Sequence, residues 1–467
     1  MSAQGVQFVL RTVRTIILAR LLTPGDFGII TMVVVVINFA QMFKDAGLSM
    51  ATVQREEISH NQISTLFWIN VFISVVLGIC VLCCSPLVAK FYGRGQLTAV
   101  TAALSISFIV SGLSIQHAAL LRRHMQFGSL AIVSIFAQII SLIITIILAL
   151  YGLRYWALVF GMIVTAFVTV GLTFFFCPWV PGKFHRVSGV MDMLKFGGHL
   201  TAHNFIGYFA RNADNILIGK YIDVDALGLY TKAYSLFMLP VSQIRQPITQ
   251  VFMPVLSSLK KQPERYIKYY QRLIDIMASL IIPIAIYCII EADFLIRILL
   301  GNQWIGAVPV FRILSICGVI QSISGTRGLV MLSHGFSRKT LIFGSVNGCL
   351  IVISFIIGLP FGITGVASAY TLTQMIVLVP SLFYCFSGTP VPVLLFLKTL
   401  FLPTLISTLS AGVAFAVSRT CIFNSTTSHL VFGGVFALTY LMISGFRRTM
   451  RETLMLMQAY FPRKVNL

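Results

Sequence analysis

Long apolar runs separated by short polar turns recur along the whole chain. Fourteen of them lie near 5–22, 27–43, 65–89, 98–120, 128–150, 155–176, 196–219, 226–256, 269–291, 307–332, 340–359, 364–386, 395–417 and 428–446. Most approach the roughly 20 residues that a helix needs to cross the hydrocarbon core of a bilayer. The runs are too long, and alternate too little, for membrane-spanning strands. The longest stretches between them are about twenty residues, which leaves no room for an extramembrane domain. The pattern predicts an all-α integral membrane protein of about 14 transmembrane helices. The first run, MSAQGVQFVLRTVRTIILARLL, is broken by Arg11, Arg14 and Arg20 and is followed by no small-residue cleavage site. It predicts a retained first helix rather than a signal peptide.

Composition agrees. Hydrophobic residues make up 57% of the 467 and charged residues 10%, against about 25% charged in soluble domains. That excludes a soluble enzyme, a disordered chain and a disulfide scaffold. Lys and Arg number 34 against 13 Asp and Glu. Because the basic residues cluster between apolar runs, the excess reports membrane topology, and no nucleic-acid partner is expected. Twenty of them fall in or beside the even-numbered loops and the C-terminal tail, and seven fall in the odd-numbered loops. The positive-inside rule then places the even loops and both termini in the cytoplasm.

A weak internal repeat is visible. ARLLTPGDFGIIT at 19–31 aligns with GKYIDVDALGLYT at 219–231, so that Arg20 meets Lys220, Gly28 meets Gly228 and Thr31 meets Thr231. YGLRYWALVFG at 151–161 resembles FGITGVASAYT at 361–371. A repeat of six helices inserts both halves in the same orientation, the architecture of transporters that rock around a shared site. The expected organisation is two pseudo-symmetric six-helix lobes, 1–180 and 181–390, then two further helices in 391–446 and a basic tail at 447–467. After Pro178, Pro181 and Gly182, the segment KFHRVSGVMDMLKF has the character of an interfacial amphipathic helix.

The chemistry lies in the charges inside the spans. These are Arg11, Arg14, Arg211, Lys232, Arg245, Arg312 and Arg327, against one acid well inside, Asp214. A basic side chain at mid-bilayer costs about 2.5–3.5 kcal/mol on insertion scales. Seven cations cannot all pair with one carboxylate, so those that stay deep must face water or a transient anion. Arg11 and Arg327 lie near span ends, within reach of headgroups. Arg14 and Arg211 allow a fixed pairing with Asp214, and Lys232 and Arg312 lie close to their helix starts. Polar residues follow helical spacing beside them: Asn204, Tyr208, Arg211 and Asn215; Ser235, Ser242, Arg245 and Thr249, with Gln246 adjacent; Arg312, Ser315, Ser322 and Thr326. The N-terminal half adds Asn38 and Gln41, Asn70 and Ser74, and Ser134, Gln138, Ser141 and Thr145. Polar stripes on membrane helices turn away from lipid, so together they predict a wet cavity of positive potential. Arg14, Arg211, Lys232, Arg245 and Arg312 are its candidate anion-binding residues.

Other motifs carry less. Asp223-Val224-Asp225 has the spacing of a metal-dependent glycosyltransferase, but it occupies the helix-start slot of Thr23 and Gly25 in the repeat. His199 and His203 stand four apart without a third ligand nearby in sequence, so no metal is expected. The nine cysteines mostly sit within spans as packing residues. There is no P-loop and no nucleophile–base constellation, so neither a cofactor nor covalent catalysis is expected.

ILARLLTPGDFG (17–28), FKDAGLSMATVQRE (43–56), STLFWIN (64–70), the block 210–244 and LLGNQW (299–304) carry a family likeness. The chain resembles the Wzx-like lipid-linked oligosaccharide flippases of the polysaccharide transporter family, in the multidrug/oligosaccharidyl-lipid/polysaccharide superfamily, of the colanic-acid and teichuronic-acid exporter type. The resemblance implies a fourteen-helix fold, two lobes facing a cationic cavity, and alternating access. It implies a substrate too: an oligosaccharide repeat unit on undecaprenyl diphosphate, moved across the bacterial inner membrane for exopolysaccharide, capsule or O-antigen assembly. Membrane lipids and polysaccharide polymerase machinery are the implied partners. The family's Arg-x-x-Asp pair falls on Arg211 and Asp214. As the single acid well inside a span, Asp214 is also the candidate for proton or sodium coupling. Relatives carry more residues before LARLLTP, so the start of the first helix is expected upstream. The alternatives are a multidrug antiporter of the same superfamily, a lipid II flippase, and a membrane polysaccharide polymerase or ligase.

Overall fold

The computed structural model describes residues 3–44, 49, 52–53, 58–184, 208–209, 211–420 and 425–445. Among these, all regular structure is helical. The chain divides by its contacts into two compact units, Ala3–Gly228 and Leu229–Leu467.

The first unit holds α1 (Ala3–Leu21), α2 (Pro24–Lys44), α3 (His60–Tyr92), α4 (Gln96–Gly112), α5 (Ile115–Arg123), α6 (Phe127–Leu150), α7 (Tyr155–Phe176) and α8 (211–221). α9 (Val224–Ser258) begins in it and continues into the second unit. There follow α10 (Pro263–Ile290), α11 (Ala292–Leu299), a 3-10 turn, α12 (Val308–Ser324), α13 (Arg327–Ser333), α14 (Ser337–Gly358), α15 (Gly362–Phe386), α16 (Val393–Thr420) and α17 (Ser425–Gly445).

Nine helices among the described residues are long and apolar enough to span a membrane, ten if the bent pair α4–α5 counts as one span. The fourteen-span pattern is consistent with these. α1 and α9 are not among the nine. They are the helices that carry Arg11, Arg14, Lys232 and Arg245, so the charges themselves make them less apolar. Large apolar side chains such as Phe72, Leu87, Ile376, Phe383 and Leu438 are exposed, as expected where the solvent is lipid.

Small residues set the helix packing. Ser141 donates to the Gly161 carbonyl (2.7 Å), and a Cβ on Gly161 would lie 2.1 Å from the Thr145 hydroxyl. α6 and α7 therefore approach closely through a Gly/Ser/Thr seam. Gly112 meets Ser74 in the same way between α4 and α3, and Gly318 of α12 receives the Phe237 ring of α9. In the second unit α10 packs against α12 and α16 with Leu273, Ile274, Met277 and Ile281 buried.

The starts of α2 and α9 form the tightest contact. Asp26 closes a capping arrangement with Thr23: its Oδ2 accepts from the Thr23 backbone (2.9 Å) and hydroxyl (2.8 Å), and its own N–H donates to Thr23 Oγ1 (3.3 Å). Asp26 Oδ1 accepts the Tyr155 N–H at the start of α7 (3.0 Å). The two helix starts then cross reciprocally. A Cβ on Gly28 would sit 2.0 Å from the Val224 carbonyl oxygen, and a Cβ on Gly228 would sit 1.9 Å from the Pro24 carbonyl oxygen. These are the residues that the repeat aligns, 24 with 224 and 28 with 228.

Asp223 is engaged locally. It pairs with Arg94 at 2.9 Å and accepts the Asp225 N–H (3.2 Å), which is the behaviour of a helix-start residue.

Candidate functional site

Of the seven membrane-embedded cations, Arg11, Arg211, Arg245 and Arg312 are exposed, Arg14 and Lys232 are half-buried, and Arg327 is buried. Ion pairs among the described residues include Arg94–Asp223, Arg297–Asp293 and His429–Glu291. Among the described residues, Arg14, Arg211, Arg245 and Arg312 have no carboxylate partner, and the fixed pairing of Arg14 or Arg211 with Asp214 is not formed. A guanidinium left exposed and unneutralised on a membrane helix must be met by water or by an anion.

The surroundings of these cations are polar but differ between the units. In the first unit Arg211 lies on α8, three residues after Tyr208. Asp214 Oδ1 accepts the Asn215 N–H (2.7 Å). Asn215 is half-buried, and its Oδ1 is enclosed with no hydrogen-bond partner among the described residues. Asn38 and Gln41 are exposed on α2, and Gln138 donates to Ser134 (3.1 Å). Asn204, His199 and His203 lie outside the described residues, as does the segment 185–207.

In the second unit Arg245 extends over the break between α12 and α13, with Nη1 3.9 Å from a Cβ placed on Gly325. The carbonyl end of α12 is the negative end of its dipole, which favours a cation there. Gln246 is exposed beside it, and Arg312 is exposed near the start of α12. Pro240, Pro247 and Pro254 punctuate α9 at seven-residue spacing. Each removes one helical hydrogen bond, so carbonyls are released along nearly one face, around the turn that carries Arg245.

Two assignments to the cavity wall are corrected. Asn70 is fully buried, its amide donating to Gln116 (3.4 Å). Gln116 donates to Thr52 (2.8 Å), and Arg123 donates to the Thr52 carbonyl (2.8 Å). Asn70 thus belongs to a buried polar chain that ties α3 to α5. Tyr208 is buried as well. Its hydroxyl donates to the Val35 carbonyl (2.5 Å) and its ring lies 5.7 Å from that of Phe39, so it fastens its segment to α2. Ser74, Ser141, Thr145, Ser315, Ser322 and Thr326 are likewise buried; their stripes are packing seams.

Two further features emerge only in the fold. Tyr234 donates to Gln321 (3.2 Å), which donates to Tyr370 (3.2 Å). This partly exposed polar chain joins α9, α12 and α15. Tyr234 shares a helical face with Ser242 and Arg245, so half of the signal was present; Gln321 and Tyr370 come from distant segments. Asp275 is a second acid buried within a span, six residues into the predicted ninth run.

Helices that cross a membrane in two units, each bearing unneutralised cations, define a multi-pass membrane protein of transporter architecture. Among solved structures, the lipid II flippase MurJ in an inward closed conformation superposes with a TM-score of 0.76 at 16% identity, covering 96% of this chain and 98% of that one. An inward-facing multidrug resistance MATE family transporter gives 0.66 at 13% identity, covering 82% and 94%. These likenesses show the fold. The model of the polysaccharide biosynthesis protein family matches residues 17–309, and the chain belongs to that family. The teichuronic acid biosynthesis protein TuaB of Bacillus subtilis (strain 168) is 26% identical over 332 residues, 67% of this chain and 65% of TuaB. The lipopolysaccharide biosynthesis protein WzxC of Escherichia coli (strain K12) is 24% identical over 367 residues, 78% of this chain and 75% of WzxC.

Proposed function

We propose that this protein is a flippase that carries an oligosaccharide on a polyprenyl diphosphate across the bacterial inner membrane for exopolysaccharide, capsule or O-antigen assembly. It works by alternating access and forms or breaks no covalent bond. The carrying observation is the set of membrane-embedded guanidinium groups, Arg14 and Arg211 in one unit and Arg245 and Arg312 in the other, that lack carboxylate partners among the described residues. A diphosphate supplies the missing negative charge, and arginine's planar fork suits phosphate oxygens. Lys232 adds charge, while Asn38, Gln41, Gln138, Asn215 and Gln246 hydrate the sugars. Asp214 is the proposed coupling residue for a proton or sodium ion. Both termini are cytoplasmic, by the distribution of basic loops. The repeat-based lobes at 1–180 and 181–390 are the moving parts, with polysaccharide polymerase machinery as a downstream partner. Family membership and the names of TuaB, WzxC and the succinoglycan biosynthesis transport protein ExoT of Rhizobium meliloti (strain 1021) support a glycan cargo.

The test is transport by the full chain in liposomes. Fluorescent polyprenyl-diphosphate oligosaccharide in the outer leaflet becomes protected from a membrane-impermeant quencher at a rate well above that of empty vesicles. Exchange of organic cations with no movement of the diphosphate lipid would instead identify a multidrug antiporter, which an excess of basic residues disfavours.

A further inference from the structure

The sequence places Arg327 near a span end, within reach of headgroups, yet its side chain is drawn into the second unit and is only 7% exposed. Its guanidinium stacks on the Phe343 ring (4.6 Å to the centroid), and Nη1 donates to Ser381 Oγ. That uses one of five N–H donors. The remaining nitrogens are not among the enclosed polar atoms that lack a partner, so they retain an opening.

A second cation stands beside it. Lys339 Nζ donates to the Ser387 carbonyl (2.7 Å) and hydroxyl (2.9 Å) and lies over the Phe336 ring (4.8 Å). Arg327 therefore meets α14 at Phe343 and α15 at Ser381, while Lys339 sits about one helical turn, roughly 6 Å, nearer the ends of both helices. Neither cation has a carboxylate partner among the described residues. The same two helices carry exposed apolar side chains, Ile342 and Val346 of α14 and Phe383 of α15.

We propose that Arg327 and Lys339, positioned by Ser381 and Ser387, form a site for the phosphate of a membrane-lipid headgroup, whose acyl chains lie on Val346 and Phe383. A buried guanidinium whose only polar partner is a hydroxyl lacks a counter-charge. A phosphate seated between guanidinium and ammonium supplies it through charge-assisted hydrogen bonds. The apolar flanks select a phosphate that arrives on a lipid over one free in solution. This site belongs to the second unit alone and does not rest on the flippase reading.

The test measures binding of dioctanoyl phosphatidylglycerol, dioctanoylglycerol and inorganic phosphate to the purified full chain in neutral detergent, by native mass spectrometry and thermal unfolding. The wild type is expected to retain phosphatidylglycerol and to be stabilised by it, with neither effect from dioctanoylglycerol. Loss of one charge-assisted contact is worth about a tenfold or greater drop in apparent affinity, expected for Lys339→Gln. Because Arg327→Gln would remove a buried charge, Arg327→Lys is the companion: it retains the charge but loses the fork, and it also weakens binding. Wild-type affinity in both Lys339→Gln and Arg327→Lys, or equal binding of dioctanoylglycerol, overturns the site. A full stabilising effect from inorganic phosphate alone overturns the lipid as its source.

Discussion

Replacing Arg211 and Arg245 together by alanine abolishes export of the lipid-linked glycan while the protein remains in the membrane at its normal level. The two halves of this result have one physical origin. Neither guanidinium has a carboxylate partner among the described residues, so its removal orphans no buried counter-charge. Each also carries an insertion penalty of about 2.5–3.5 kcal/mol at mid-bilayer, so the double variant inserts at least as well as the wild type. The loss falls on the cargo. A hydrogen bond to a charged group is worth about 1.5–3 kcal/mol, and two such contacts correspond to roughly a hundredfold to ten-thousandfold in affinity at 1.4 kcal/mol per decade. Surface glycan, measured alongside membrane content by immunoblot, separates export from folding. Arg245→Lys keeps the charge without the fork and is expected to retain partial export. Normal export by the double alanine variant removes the basis for the anion-site assignment.

Gly28→Ala and Gly228→Ala each lower the unfolding midpoint of the purified protein by several degrees, and the pair together prevents accumulation of folded protein. The obstacle at both positions is a backbone carbonyl, 2.0 Å and 1.9 Å from the new methyl group, which cannot rotate away. Overpacking of this kind costs about 1–3 kcal/mol per site when the structure yields, and more when it does not. Gly25→Ala is the control. Its methyl group meets only the Asp225 carboxylate, at 2.7 Å, and that side chain is free to swing aside. Detergent-solubilised protein followed by intrinsic fluorescence distinguishes the three. Equal midpoints for Gly25→Ala and Gly28→Ala would show that the crossing of the two helix starts is looser than its geometry.

The bilayer made much of this fold legible. Apolar runs, basic loops and the few charges inside spans each follow from the price of exposing a polar group to lipid, and that rule acts locally, so a single sequence displays it. The same rule explains the misassignments. A polar stripe must turn away from lipid, but periodicity does not say whether it turns toward water or toward another helix. Asn70 and Tyr208, like Ser141 and Thr145, turn toward neighbouring helices. The arginines escape this ambiguity because a packing seam offers no place for an unpaired guanidinium, with Arg327 the exception that finds a ring and a hydroxyl. The repeat aligned Gly28 with Gly228, yet nothing local revealed that the two helix starts cross. The chain Tyr234–Gln321–Tyr370 was out of reach for the same reason: its members are brought together by three helices far apart in sequence.

The most direct measurement is the equilibrium affinity of the purified full chain for a short-chain polyprenyl diphosphate, compared with the corresponding polyprenol, over a range of salt concentrations. Guanidinium groups that await a diphosphate predict tight binding of the charged lipid, weak binding of the alcohol, and a preference that falls with salt and disappears in the Arg211→Ala, Arg245→Ala variant. Equal affinity for diphosphate and alcohol, unchanged by salt or by removal of the two arginines, contradicts the account.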